Sequence, residues 1–136
     1  MQLNPYLTFD GRCEEAFKFY EKLFGGSITA MIQHEGTPAA EHVPQEWHSK
    51  IMHARLEIDG QVLMGSDVPP QHYSEPKGIS ISIGIDRVAD AERIFEALAE
   101  NGKVRMPLQQ TFWAARFGMV TDRFAIPWMI NCERDS

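Results

Sequence analysis

At 136 residues, with 43% hydrophobic and 24% charged side chains, the chain has the length of one ordinary globular domain, and a second independent domain would have to be very small. A folded chain of this size buries roughly two-thirds of the surface its unfolded form exposes, so it can enclose a pocket without disulfide or metal staples. The 13 basic and 19 acidic residues leave a formal charge of -6 with no run of Lys or Arg, which disfavours nucleic acid or an anionic membrane surface as the main partner.

The opening run Leu3 to Phe9 is apolar and β-prone and breaks at Asp10-Gly11. A helical pattern follows, in which Cys13, Ala16, Phe19, Tyr20 and Leu23 recur at three- and four-residue spacing before Gly25 and Gly26 stop it. Residues 27 to 33 read as a strand. Residues 34 to 49 mix Pro, Gly and charge without a period, which makes a loop long enough to serve a site. Two β-like runs, KIMHARLEI and QVLMGSD, joined by Asp59-Gly60, predict a hairpin. The segment VPPQHYSEPKG at 68 to 78 reads as a linker, because its three prolines cannot join the middle of a sheet.

The pattern then restarts. Residues 79 to 85 (ISISIGI) alternate as a strand does, and Asp86 is placed to cap a helix with a stripe of Val88, Ala91, Ile94, Phe95 and Leu98, ended by Asn101-Gly102. Strands are expected near 103 to 109, 112 to 120 and 126 to 132. An offset of 75 residues superposes the two helix stripes, Cys13 on Val88 through Leu23 on Leu98. With the repeated element order, this predicts a duplicated βαβββ unit, with modules 1–67 and 78–136 joined by a Pro-rich linker, 68–77, into one domain.

Cys13 and Cys132 form no CxxC pair and read as two reduced thiols. The N-terminal MQLNPYLTFDG has no basic region ahead of an apolar run, and no stretch approaches ~18 apolar residues, so the expectation is a cytoplasmic protein that neither crosses nor binds a membrane.

A tandem βαβββ pair of this length resembles the vicinal oxygen chelate superfamily of glyoxalases, extradiol dioxygenases, fosfomycin resistance enzymes and bleomycin-binding proteins, and within it the PhnB-like branch. The resemblance is carried by NPYLTFDGRCEEAFKFYEKLFGG, HARLEIDGQVLMGSD and above all NGKVRMPLQQTFWAARFGMVTDRFAIPWMIN. It departs from the usual pattern at Arg123 and Ala125, where the family commonly has Pro and Gly, a variation that fits a turn. Some relatives carry a methyltransferase label, but no strand here leads through a glycine-rich turn into a helix, the usual cradle for S-adenosylmethionine. The resemblance implies an α+β fold of curved mixed sheets, each backed by a helix and turned toward a cleft, a small organic molecule as ligand, and a homodimer.

The resemblance also implies a divalent metal held by His and Glu, one from each of four strands. Carried over, those positions fall near Pro5, Met64, Ser80 and Met129, none of which is a strong ligand for zinc, nickel or iron. The expectation is therefore no inherited metal and no other cofactor. A relocated divalent ion is the alternative, because His34, His42, His48 and His53 crowd together with Glu35, Glu41 and Glu46, although His48 and His53 would face opposite sides of a continuous strand.

His53, mid-strand on the polar face opposite Met52, Ala54, Leu56 and Ile58, is the candidate catalytic residue and a candidate ligand contact, either as general base or as hydrogen-bond donor. Arg55 and Glu57 share its face, and Arg55 is a further candidate contact. In FWAARFG, Arg116 is a candidate for holding a carboxylate or phosphonate, with an ion pair to Asp122 as the structural alternative. Phe112, Trp113 and Trp128 are candidate stacking surfaces or core. Asp67 and Thr121-Asp122 read as caps and turns. No nucleophile motif or Ser-His-Asp order is present. Three functions are expected to compete: metal-free small-molecule binding, an enzyme of the lyase, transferase or dioxygenase class with His53 as base or a relocated ion, and a regulatory or interaction module.

Overall fold

Tyr6–Phe9 forms strand β1, Cys13–Phe24 helix α1, Ser27–Gln33 β2, Ile51–Ile58 β3 and Gln61–Asp67 β4. The series repeats as β5 (Ile81–Gly84), α2 (Val88–Ala99), β6 (Lys103–Gln109), β7 (Arg116–Thr121) and β8 (Pro127–Cys132) in the computed structural model, which describes residues 1–136. The chain divides into two compact units, Met1–Ser74 and Glu75–Ser136. Each holds one βαβββ module, so the fold is α+β and duplicated, and both ends of the helices keep the 75-residue offset.

The first unit's sheet runs β1-β4-β3-β2. Its first strand lies parallel to its last, and the other neighbours are antiparallel. The β3–β4 hairpin turns on Asp59 and Gly60, both at positive φ, as the twist of a two-residue turn demands. Helix α1 ends where Gly25 takes a left-handed φ of 74° and its amide bonds Glu21 O. Its buried face is Cys13, Ala16, Phe17 and Tyr20. Phe17 therefore replaces the expected Phe19, because it packs onto Gly65 of β4, where a Cβ would meet the ring at 2.9 Å.

On β3 the helix side is Ile51, Ala54 and Leu56, all buried. Met52 was expected there. A bulge opposite Ile32 and Gln33 leaves Met52 outside the ladder and moves Ile51 onto the core face. Residues 34 to 49 hold two short 3-10 turns, Pro38–His42 and Gln45–Trp47. Pro70–His72 makes a third, and the Val68 amide bonds Phe9 O, which ties the start of the proline-rich segment to the first unit.

The second unit's sheet runs β5-β8-β7-β6 with the same parallel and antiparallel pattern. Helix α2 buries Ala91, Ile94, Phe95 and Leu98 as its periodicity predicts. Asp86 does not cap it. The first helical amide, on Val88, bonds the Asp135 carboxylate instead. The strand expected from residue 112 begins at Arg116, because a turn closes first: the Ala114 amide donates to Thr111 Oγ1 and the Thr111 amide to Ala114 O. Strand alternation consequently says nothing of Phe112 and Trp113.

Candidate functional site

Residues opposite one another in neighbouring strands share a face of the sheet. In the first unit the face away from α1 therefore carries one row of Tyr6, Met64, Arg55 and Ala30, flanked by His53 and Glu57 on β3. His53 is half-buried, and its Nδ1 lies 3.2 Å from the Tyr6 hydroxyl with the rings stacked at 5.8 Å. Whichever group donates, this bond uses Nδ1 and leaves Nε2 for another partner. The tautomer decides its role: with Nδ1–H donating to the tyrosine oxygen, Nε2 is the basic nitrogen, and with the tyrosine donating, Nε2 carries the proton.

Arg55 reaches Glu57 at only 3.9 Å, and its Nε is buried with no hydrogen-bond partner. An unspent donor on a polar sheet face is what a ligand oxygen would satisfy. Sequence pattern missed Tyr6. Its signal was the topology itself, since a first strand parallel to the last brings Tyr6 diagonally across β4 to His53.

The other crowded histidines do different work. His34 is buried with neither ring nitrogen bonded, and its pKa is lowered by burial. His48 Nε2 meets Ala40 O at 3.0 Å, and His42 is exposed. No group of three or more His, Cys, Asp or Glu side chains is arranged to hold a metal ion.

The positions implied for an inherited ion supply thioethers from Met64 on β4 and Met129 on β8, a hydroxyl from Ser80 and nothing from Pro5. A divalent ion of the zinc, nickel or iron type takes imidazole, carboxylate or thiolate, so these residues do not fit it.

Asp67, read as a cap, is a junction. Its Oδ1 accepts the amides of Gly11 and Cys13 at the start of α1, and Oδ2 accepts that of Ile51 at the start of β3. Burial pushes its carboxyl above the usual range while the three amides pull it down. Burial, reinforced by Asp67, drives the Cys13 thiol far up, and burial raises Cys132 too, so neither is a thiolate nucleophile at neutral pH.

The second unit holds the other four candidates. Arg116 opposes Cys132 on the helix side of its sheet, and its Nε meets Glu92 at 3.4 Å rather than Asp122. It lines an open recess of about 700 Å³ between α2 and β6 with Glu92, Glu96 and Glu100, and three carboxylates there oppose an anionic ligand. Trp128 is 2% exposed and donates its indole N–H to Asp122 Oδ2, which fixes it in the core instead of at a stacking surface. Asp122 Oδ1 also accepts the amides of Phe124 and Ile126. Of the two roles expected for Phe112 and Trp113, stacking surface or core, their 97% and 49% exposure excludes the core. Trp113 lies edge-on to Phe117 at 5.4 Å.

A duplicated βαβββ unit with helix-backed sheets and polar side chains on an open face defines a class of fold rather than a single activity. The sequence profile of the Glyoxalase/Bleomycin resistance protein/Dioxygenase superfamily matches residues 2–130, and the chain belongs to that superfamily. Protein YjdN of Escherichia coli (strain K12) is 37% identical over 139 residues, which cover 96% of this chain and 95% of that one. The crystal structure of protein PA1353 from Pseudomonas aeruginosa matches with a TM-score of 0.90 at 51% identity over 99% of both chains. A Bacillus cereus structure described as a putative 3-demethylubiquinone-9 3-methyltransferase, PhnB protein, matches with a TM-score of 0.83 at 22% identity, covering 97% of this chain and 99% of that one. That last likeness shows the shared fold. No helix is long and apolar enough to cross a membrane.

Proposed function

We propose that the protein is a PhnB-like, cytoplasmic, homodimeric member of the superfamily that binds a small organic molecule without the inherited metal centre. One observation carries this reading: the open face of the first sheet presents a bonded Tyr6–His53 pair beside a buried Arg55 Nε that has no partner. Such a face offers directional hydrogen bonds to a ligand, while the thioethers at the implied ligand positions offer a divalent ion little. The -6 charge adds support against nucleic acid as partner.

The test is retention. Protein incubated with unfractionated metabolite extract, re-isolated and analysed by mass spectrometry should hold one compound unchanged. Loss of that compound from the extract, with a new product appearing, would favour catalysis instead. Calorimetric titration of tag-free protein with nickel or zinc should show no stoichiometric tight binding.

The catalytic alternative draws on the same hydrogen bond. With Nδ1–H held by Tyr6, His53 Nε2 is a general base facing the open side. His53→Ala should abolish turnover if this reading is right, whereas under simple binding it should only weaken retention.

A further inference from the structure

The second unit's open face is built from different chemistry. Its register sets Met106 of β6 beside Met119 of β7, Met119 beside Met129 of β8, and Met129 beside Ser82 of β5. Three thioethers thus lie abreast on three neighbouring strands. The adjacent row is Gln109, Phe117, Asn131 and Gly84. Neither row contains an ionisable side chain.

Two features mark this face as unfinished. Nothing lies within 4 Å of where a Cβ on Gly84 would stand, so the sheet is uncovered there. Beside that gap, Asn131 Oδ1 is buried and has no hydrogen-bond partner. A buried amide oxygen that accepts nothing is rare, and its desolvation is offset when a donor arrives. On the other side of Asn131 in that row is Phe117, against which Trp113 stands edge-on.

We infer that this face binds a flat, uncharged aromatic ring system carrying one O–H or N–H donor. The ring lies on the sulfurs of Met129 and Met119, its edge meets Phe117, and its donor bonds Asn131 Oδ1. Thioethers suit this role because they are polarisable, reshape through three torsions and make favourable contacts with aromatic rings. The orphan acceptor supplies selectivity, since an isostere lacking the donor leaves it unpaired. The inference rests on the reading of the chain as a small-molecule-binding protein and names the chemistry of what it binds.

The probes are 1-naphthol and 1-methoxynaphthalene, which share the ring and differ in the donor. Titrated calorimetrically into full-length protein, 1-naphthol should bind saturably and about tenfold more tightly than its methyl ether. Asn131→Leu should erase that preference and keep binding of the ether. Met119→Gln and Met129→Gln, close in size to the native residue, should weaken both probes together, with circular dichroism and thermal melts confirming the fold. Quenching of tryptophan emission by 1-naphthol should disappear in Trp113→Phe while calorimetric binding persists.

Absence of saturable naphthol binding overturns the inference, as does a preference that survives Asn131→Leu or affinity untouched by both Met→Gln variants. Naphthol-free protein whose dimer dissociates on these substitutions also overturns it, by assigning the face to a second copy. A compound retained from extract by protein that ignores both naphthalenes would sink this inference and leave the small-molecule reading standing; retention of nothing would sink both.

Discussion

The two units share a plan and differ in what it carries. In each, the first strand lies parallel to the last, and a helix aromatic packs onto a sheet glycine: Phe17 on Gly65, and Phe95 on Gly118. Each also buries one carboxylate under three N–H donors. The open faces have no such likeness. The row Tyr6, Met64, Arg55, Ala30 in the first corresponds to Ser82, Met129, Met119, Met106 in the second. Packing restrains the helix side, because every atom there has neighbours that must move with it. The open side carries no such restraint, and there the copies have separated into a polar surface and a thioether surface.

The largest expected effect comes from the two carboxylates, which are alike in donor count and unlike in reach. Asp67 ties together the starts of α1 and β3, elements far apart in sequence, whereas the amide and indole donors to Asp122 all lie within the six residues after it. Asp67→Ala should destabilise by about 4 kcal/mol and Asp122→Ala by about 2, measured by urea unfolding, since each strands buried N–H groups but only the first also loosens long-range closure. An Asp122 variant that costs more than its Asp67 counterpart would break the comparison.

The glycines come next. A Cβ on Gly118 would stand 2.7 Å from the Phe95 ring and 2.9 Å from Leu108 Cα, and one on Gly65 would stand 2.9 Å from both Leu7 O and the Phe17 ring. Backbone lies on one side of each contact, so neither site relaxes by a side-chain rotation alone. Gly65→Ala and Gly118→Ala should each lower stability by roughly 1 to 3 kcal/mol, read from chemical denaturation midpoints.

The sequence revealed the helix side better than the site. The 75-residue offset, the Asp59-Gly60 turn and the α2 stripe were readable because local periodicity and turn chemistry determine them. The candidate site was readable only in part. His53 and Arg55 follow from strand alternation, but the pairing of His53 with Tyr6 depends on a parallel contact across 47 residues. Strand alternation does not reach Phe112 and Trp113, because the turn at Thr111–Ala114 delays the start of β7, and the contact of Arg116 with Glu92 on α2 is one that no local pattern encodes. Met52 changed sides at a bulge, which has no short sequence signal.

A smaller effect of opposite sign is expected in the β7–β8 turn, where Ala125 holds a φ of 71°. Left-handed backbone costs an L-residue with a Cβ roughly 1 kcal/mol relative to glycine. Ala125→Gly should therefore raise the melting temperature by a few degrees, about what 1 kcal/mol yields in a domain of this size. The turn's hydrogen bonds, Asp122 N to Ile126 O and Ala125 N to Asp122 O, need no side chain at 125 and should persist. The first unit meets the same demand for positive φ at its hairpin with Gly60, where no Cβ is present.

The smallest effect separates the units by pH. His34 is buried in the first unit with both ring nitrogens unbonded, and burial, aided by His48, holds its pKa below 6.5 against the pull of Asp67. Below 6.5 the unfolded chain takes up a proton that folded His34 resists. Its contribution is therefore fully present above pH 6.5 and is lost as pH falls through the lower folded value. His34→Leu should flatten the stability profile between pH 5 and 7, as roughly bounded by that titration. It should leave neutral-pH stability equal or higher, because an apolar side chain replaces two unpaired polar atoms. Urea melts at pH 5 and pH 7 on both proteins check the sign: a variant that keeps the native slope would move the acid sensitivity of this unit to another group.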